Sequence, residues 1–119
     1  MHGLHAHPGA LPGALAWEGA VPTGVSAAGH DVVDARQVEI YLPAAALPRL
    51  QRGLRIRDAG GDPNLIVRVP TIDEWPFPDG KAGPVTVALD LWEAGDARSR
   101  RAGDALFRRV LAEGRFELR

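Results

Sequence analysis

From Ala97 to Glu113 the apolar residues recur with the period of an α-helix, Ala102, Leu106 and Val110 forming one row and Phe107 and Leu111 the row beside it. Two adjacent apolar rows on one helix have to be buried against another layer, so this segment obliges the rest of the chain to supply a packing surface. Its ends are marked as well. Asp96 is placed to cap the first turn and Gly114 to end the last. At roughly 1.5–3 kcal/mol for each large side chain fully buried, Leu106, Phe107, Val110 and Leu111 are expected to contribute several kcal/mol by docking on a sheet. Gly103, in mid-helix, costs about 1 kcal/mol relative to alanine and marks the position for a close helix–helix contact.

Just upstream, Pro84 fits the first turn of a helix, and Val85, Ala88, Leu89 and Trp92 recur at i, i+3, i+4 and i+7, which predicts a buried helix over 84–94. The β-branched Val85, Thr86 and Val87 keep a strand open as the alternative. Earlier in the chain the period changes to two. Val38, Ile40 and Leu42 alternate with Glu39 and Tyr41, predicting a strand at 38–42 that Pro43 stops. A short helix over 44–52 follows, with Pro48 in its first turn and Gly53 at its end. Residues 54–57 and 65–69 then alternate on either side of 58–64, a connection rich in turn formers, and predict a β-hairpin. Such a hairpin turns Leu54, Ile56, Leu65, Val67 and Val69 inward and gathers Arg55, Arg57 and Arg68 on a solvated outer face. Thr23 is placed to cap a short turn that ends near Gly29, and the two prolines of 75–80 force an extended loop whose aromatics cover one edge of the core.

The reading is therefore an α+β fold. A small, mostly antiparallel sheet has strands near 38–42, 54–58 and 65–69, with 116–118 a candidate for one more, and is packed by C-terminal helices near 84–94 and 97–113. At 119 residues and 45% apolar composition there is material for one core and not for two. Residues 1–13 hold three of the four histidines, with glycines and prolines and no sustained period, and are expected to be a flexible tail ahead of a single domain at 14–119. Lysine and arginine total 14 against 15 acids, so no overall positive field attracts nucleic acid or membrane, and any such binding must be local. The absence of cysteine removes disulfides and thiolate chemistry. No apolar run approaches the roughly 18 residues that span a bilayer, and no basic-then-apolar leader opens the chain, so a cytoplasmic location without membrane contact is expected.

No residue pattern announces a catalytic centre. His2, His5 and His7 offer imidazoles that suit zinc, nickel or copper, but in a segment without order they lack second-shell support. His30 with Asp31 and Asp34 resembles a base and its orienting carboxylate, yet neither Ser26 nor Ser99 stands in a nucleophile motif. Asp79, Lys81 and Asp90 are close in sequence without the acid and Glu-x-Lys order of a metal-dependent nuclease, and Gly60-Gly61 falls in a turn where a phosphate loop would need a helix start. No cofactor is therefore expected. The strongest binding feature is local charge: residues 96–119 hold seven arginines against four acids, and Arg98, Arg100, Arg101, Arg108 and Arg109 give the last helix a basic side. Asp104 lies at i,i+4 from both Arg100 and Arg108, so part of this charge is expected in intrahelical pairs worth about a few tenths of a kcal/mol each.

The run from Val87 to Gly103 resembles the C-terminal signature of the AbiEi-type antitoxins of type IV toxin–antitoxin systems. In that signature an apolar helix ending in Asp-Leu is followed by a small-residue turn, Gly-Asp-Pro-Arg, and a helix with an early alanine. Asp90-Leu91, Gly95-Asp96, Arg98 and Ala102 match it, and Ala97 replaces the usual proline. The likeness extends over roughly 14–113. It implies a non-catalytic antitoxin and transcriptional-regulator domain of a bacterial system, counteracting a nucleotidyltransferase toxin, with operator DNA as a further partner. The N-terminal winged helix through which such proteins repress their operon is not visible in this chain. Two other classes stay open from the residues alone: an enzyme of nuclease-like fold, and a structural or oligomerising module built on the 84–113 helices, the oligomeric state being undetermined.

Overall fold

The computed structural model describes residues 1–27, 37–58, 62–71, 75–94 and 96–113. Five strands, β1 (His2–His5), β2 (Val21–Pro22), β3 (Val38–Tyr41), β4 (Arg57–Asp58) and β5 (Leu65–Arg68), form one mixed sheet in the order β2-β3-β5-β1-β4. The β3–β5 pair is parallel and the other three pairs are antiparallel. The helices are α1 (Leu11–Leu15), α2 (Leu47–Gly53), α3 (Pro84–Ala94) and α4 (Ala97–Glu113). The fold is α+β, and both C-terminal helices occupy the ranges that their period and caps predict. The expected strand at 116–118 and the site at His30, Asp31 and Asp34 lie outside the described residues.

Two expectations about the sheet are overturned together. Residues 1–13 are not a tail: β1 pairs with β5 on one side and β4 on the other, with Leu4 opposite Leu65 and Asp58. Leu4 and Ala6 are fully buried, and Asn64 clamps the strand's end by donating to the Ala6 carbonyl at 2.7 Å and accepting from the Ala6 amide at 2.8 Å. Because β1 sits between β4 and β5, the hairpin predicted across 58–64 does not form. Its first strand is also cut short. After α2 the Ile56 amide donates back to the Gln51 carbonyl at 2.8 Å, and Arg55 takes the left-handed conformation (φ 53°), which is the Schellman closure usually given to glycine. The chain is extended only from Arg57.

The parallel register places Val38 beside Leu65 and Ile40 beside Val67, and their side chains share one face with Leu4 and Leu42. Leu11 and Ala14 of α1, Leu50 of α2, and Ile56 close over this face and make the main core. The opposite face carries the alternate residues, among them Glu39, Tyr41 and Arg68, and α3 lies against it.

Helix α4 packs on α3, not on the sheet as expected. Gly103 is the contact point: a Cβ there would stand 2.6 Å from the Trp92 ring and 3.0 Å from the Ala88 carbonyl, so only glycine admits this approach. Ala102 and Leu106 meet Val87 and Leu91 in a small second core, and Val110 is buried, but Leu111 is left exposed. Wedged between sheet and α4, α3 buries Val85, Val87, Ala88, Asp90 and Leu91, while Leu89 and Trp92, expected inside, face out.

Candidate functional site

Two groups of polar side chains stand out, one enclosed and one open. The enclosed group lies between the sheet and α3. Asp90 accepts hydrogen bonds through Oδ2 from the Thr23 hydroxyl at 2.5 Å and the Tyr41 hydroxyl at 2.8 Å, while its Oδ1 stands 3.7 Å from the Arg68 guanidinium. Arg68 also reaches Glu39 at 3.5 Å and Glu93 at 3.2 Å. Thr23, Glu39 and Asp90 are buried, and Glu93 is the group's exposed rim. One guanidinium thus serves three carboxylates, and among the described residues its Nε is buried without a hydrogen-bond partner.

Burial pushes the Glu39 carboxyl up to about 7, Asp90 and Glu93 adding to the rise and Arg68 opposing it. Burial and the hydrogen bond to Asp90 likewise drive the Tyr41 hydroxyl upward. Around this group the backbone is shaped to fit. Gly24 has φ 52° and lies so close to the Glu39 carboxylate that a Cβ would overlap it, and the Ser26 hydroxyl accepts from the Glu39 amide at 2.9 Å. Phe77 is buried against Tyr41 with ring centroids 4.7 Å apart, and Trp75 meets Phe77 edge-on, so the proline-bounded loop covers the core at the edge of this joint.

Several sequence readings are corrected here. Thr23 precedes a short 3-10 turn, but its hydroxyl makes no cap and goes to Asp90. Arg68 is largely enclosed, its side chain 11% exposed, whereas Arg55 and Arg57 are exposed, so no solvated trio forms. Asp79 and Lys81 are exposed in a turn where the Lys81 amide donates to Asp79 at 3.3 Å, and Asp90 is buried elsewhere in the polar group. Nothing in the sequence marked Thr23, Glu39, Tyr41, Arg68 and Asp90 as one constellation. They come from three elements, β3, β5 and α3, and from the residue that follows β2, and the only sequence signal was that Glu39 and Tyr41 shared a face.

The open group is on α4. Arg98, Arg100, Arg101, Arg108 and Arg109 are all exposed. Arg98, Arg101 and Arg108 recur along one side of the helix, with Arg109 beside them, and Arg100 lies on another side, its guanidinium 6.0 Å from the centre of the Trp92 ring. Asp104 engages Trp92 from α3, accepting from the indole N–H at 3.0 Å. The signature residues are dispersed in role. Asp90 holds the sheet to α3; Asp96 caps α4, accepting from the Ser99 amide at 2.9 Å, and its bonds to Ser99 hold its carboxyl below the usual range. Arg98 is exposed, and Gly95 lies outside the described residues.

His2 and His5 are exposed on β1, and the His7 ring accepts from the Gly9 amide at 3.0 Å, so His7 caps a backbone turn. Two surface clefts, of about 380 and 590 Å³, are lined by other residues than the enclosed group: Val87, Leu106, Arg109 and Val110 line the first, and Trp17, Glu18, Pro43 and Arg49 the second. Among the described residues no set of three histidine or acidic side chains is placed to hold a metal ion, and no helix is long and apolar enough to cross a membrane. In comparisons with known proteins, no family model, no curated protein and no solved structure matches this chain.

Proposed function

We propose that this chain is a non-catalytic binding domain of the antitoxin and regulator type, acting in the cytoplasm with the arginine-bearing side of α4 as its working surface. The observation that carries this reading is the contrast in how the polar side chains are used. The enclosed carboxylates are held by Thr23, Tyr41 and Arg68 within the fold, whereas the five α4 arginines reach solvent. Arginine presents a planar fork of donors that suits phosphates and carboxylates, and Arg98, Arg101, Arg108 and Arg109 offer such forks from one side of a single helix, with Arg100 apart beside Trp92. The likeness of 87–103 to the AbiEi-type signature supplies the biological context: a nucleotidyltransferase toxin whose effect is counteracted, and operator DNA as a candidate ligand.

Changing Arg98, Arg100, Arg101, Arg108 and Arg109 singly to alanine tests the surface in two assays. One is rescue of growth from a co-expressed nucleotidyltransferase toxin; the other is binding to duplex DNA over a salt series. Each arginine that neutralises a phosphate is expected to lower the salt dependence by about one unit of slope when removed. Unchanged rescue together with unchanged binding would remove α4 as the working surface. The enzyme reading predicts metal-dependent cleavage of nucleic acid that Asp90→Ala abolishes, and appearance of that activity would replace the present proposal.

A further inference from the structure

A different surface of the helical pair exposes large apolar side chains. On the outer flank of α3, Leu89 and Trp92 are 53% and 47% exposed. Trp92 lies over Gly103, and from there the i+4 spacing of α4 carries the same flank through Phe107 to Leu111, which is 59% exposed. Single exposed apolar residues are ordinary on protein surfaces, but a strip of them across two packed helices marks an interaction site. Trp92 is held in this position from two sides, by the Asp104 carboxylate on its N–H and the Arg100 guanidinium by its ring.

The borders of the strip carry opposite charge. Glu93, with its side chain 62% exposed, edges it on α3, and the exposed Arg100 edges it on α4. A two-fold axis through the strip lays the Glu93 edge of each copy against the Arg100 edge of the other while Leu89, Trp92 and Leu111 close over their counterparts. We propose that a second copy of this chain docks here, forming a two-fold dimer through α3 and α4. Exposed tryptophan and leucine with a charged rim is the composition of a protein interface. Nucleic acid suits the strip poorly, because the Asp104 and Glu93 carboxylates on it repel phosphate. Arg98 and Arg101 lie about a third of a turn or more around α4 from the row of Gly103, Phe107 and Leu111, so the dimer leaves them uncovered.

Sedimentation equilibrium of the full chain over a dilution series tests this, with twice the 12.7 kDa chain mass expected. Trp92→Glu and Leu111→Glu are each expected to raise the dimer dissociation constant about 30-fold or more while circular dichroism stays unchanged. Glu93→Arg and Arg100→Glu should each weaken the dimer and, combined, restore it, which a merely structural role would not produce. Because the chain has no cysteine, Leu111→Cys adds a unique thiol, and a bifunctional maleimide should link two chains through it but not through Arg52→Cys on exposed α2. A single-chain mass up to about 1 mM, or a dimer that survives both glutamate variants, overturns the proposal. Arg98→Ala and Arg101→Ala should leave the dimer intact, so loss of DNA binding or of toxin rescue in those variants bears on the function alone.

Discussion

The face of the sheet under α1 and α2 and the face under α3 are closed by different physics. The first is an apolar layer: Leu4, Val38, Ile40, Leu42, Leu65 and Val67 meet Leu11, Leu50 and Ile56, and its stability comes from area removed from water. The second is joined by Arg68 among Glu39, Asp90 and Glu93, with Thr23 and Tyr41 completing Asp90. Apolar contacts tolerate small shifts in packing. A largely enclosed guanidinium serving two buried carboxylates and one at the rim does not, because displacing Arg68, Glu39 or Asp90 leaves charge with neither solvent nor partner. The apolar face therefore supplies bulk stability, and the polar one fixes where the α3–α4 pair sits on the sheet.

Removing the shared cation is the strongest attempt to break this contrast. Arg68→Ala leaves buried carboxylates uncompensated and is expected to cost about 3–5 kcal/mol in urea unfolding, with amide exchange rising first in α3 and α4. Leu50→Ala on the apolar face is expected to cost about 2–5 kcal/mol and to lower protection across the whole sheet. If both substitutions gave the same exchange pattern, the two faces would be one cooperative unit and the distinction would fail.

The pH dependence sharpens the contrast further. Glu39 titrates at 4.5 in the unfolded chain and near 7 in the fold, so between these values the native state retains a proton that the unfolded state has released. The contribution is fully present below about pH 4.5 and is lost as the pH rises through about 7, by at most about 3 kcal/mol. Urea midpoints measured from about pH 5 to pH 8 are expected to fall, and Glu39→Gln should flatten that decline. The smallest effect is local: Asp96→Ala removes the α4 cap at a cost of about 1 kcal/mol, and thermal unfolding should register it without change at the sheet.

The same contrast explains what could be read in advance. The alternation at 38–42 and 65–69 identified the apolar side of both strands, and the period of 97–113 with its Asp96 cap identified α4, because those signals are local. Arg68 was read as facing water, and Glu39 and Tyr41 only as sharing the face opposite Val38, Ile40 and Leu42, since an alternating polar position on a strand gives no sign of whether a helix will cover it. Strand β1 was hidden for the opposite reason: one buried leucine among histidines and a glycine has almost no hydrophobic pattern, and the strand is held by backbone pairing on both sides and by Asn64. The arginines of α4 were legible as a basic side, but their division into a row and a separate Arg100 beside Trp92 required α3 to be in place.

Local order along the chain thus dictated the α+β class, both C-terminal helices, the Asp96 cap of α4 and the close approach at Gly103. Tertiary structure alone decided that the N-terminus enters the sheet, that the expected hairpin is split by it, and that one arginine is enclosed between the sheet and α3 with three carboxylates around it. The division follows from range. Period, caps and glycine act within a few residues, whereas strand order and the burial of a polar face depend on segments far apart in the chain, whose meeting no short stretch of sequence encodes.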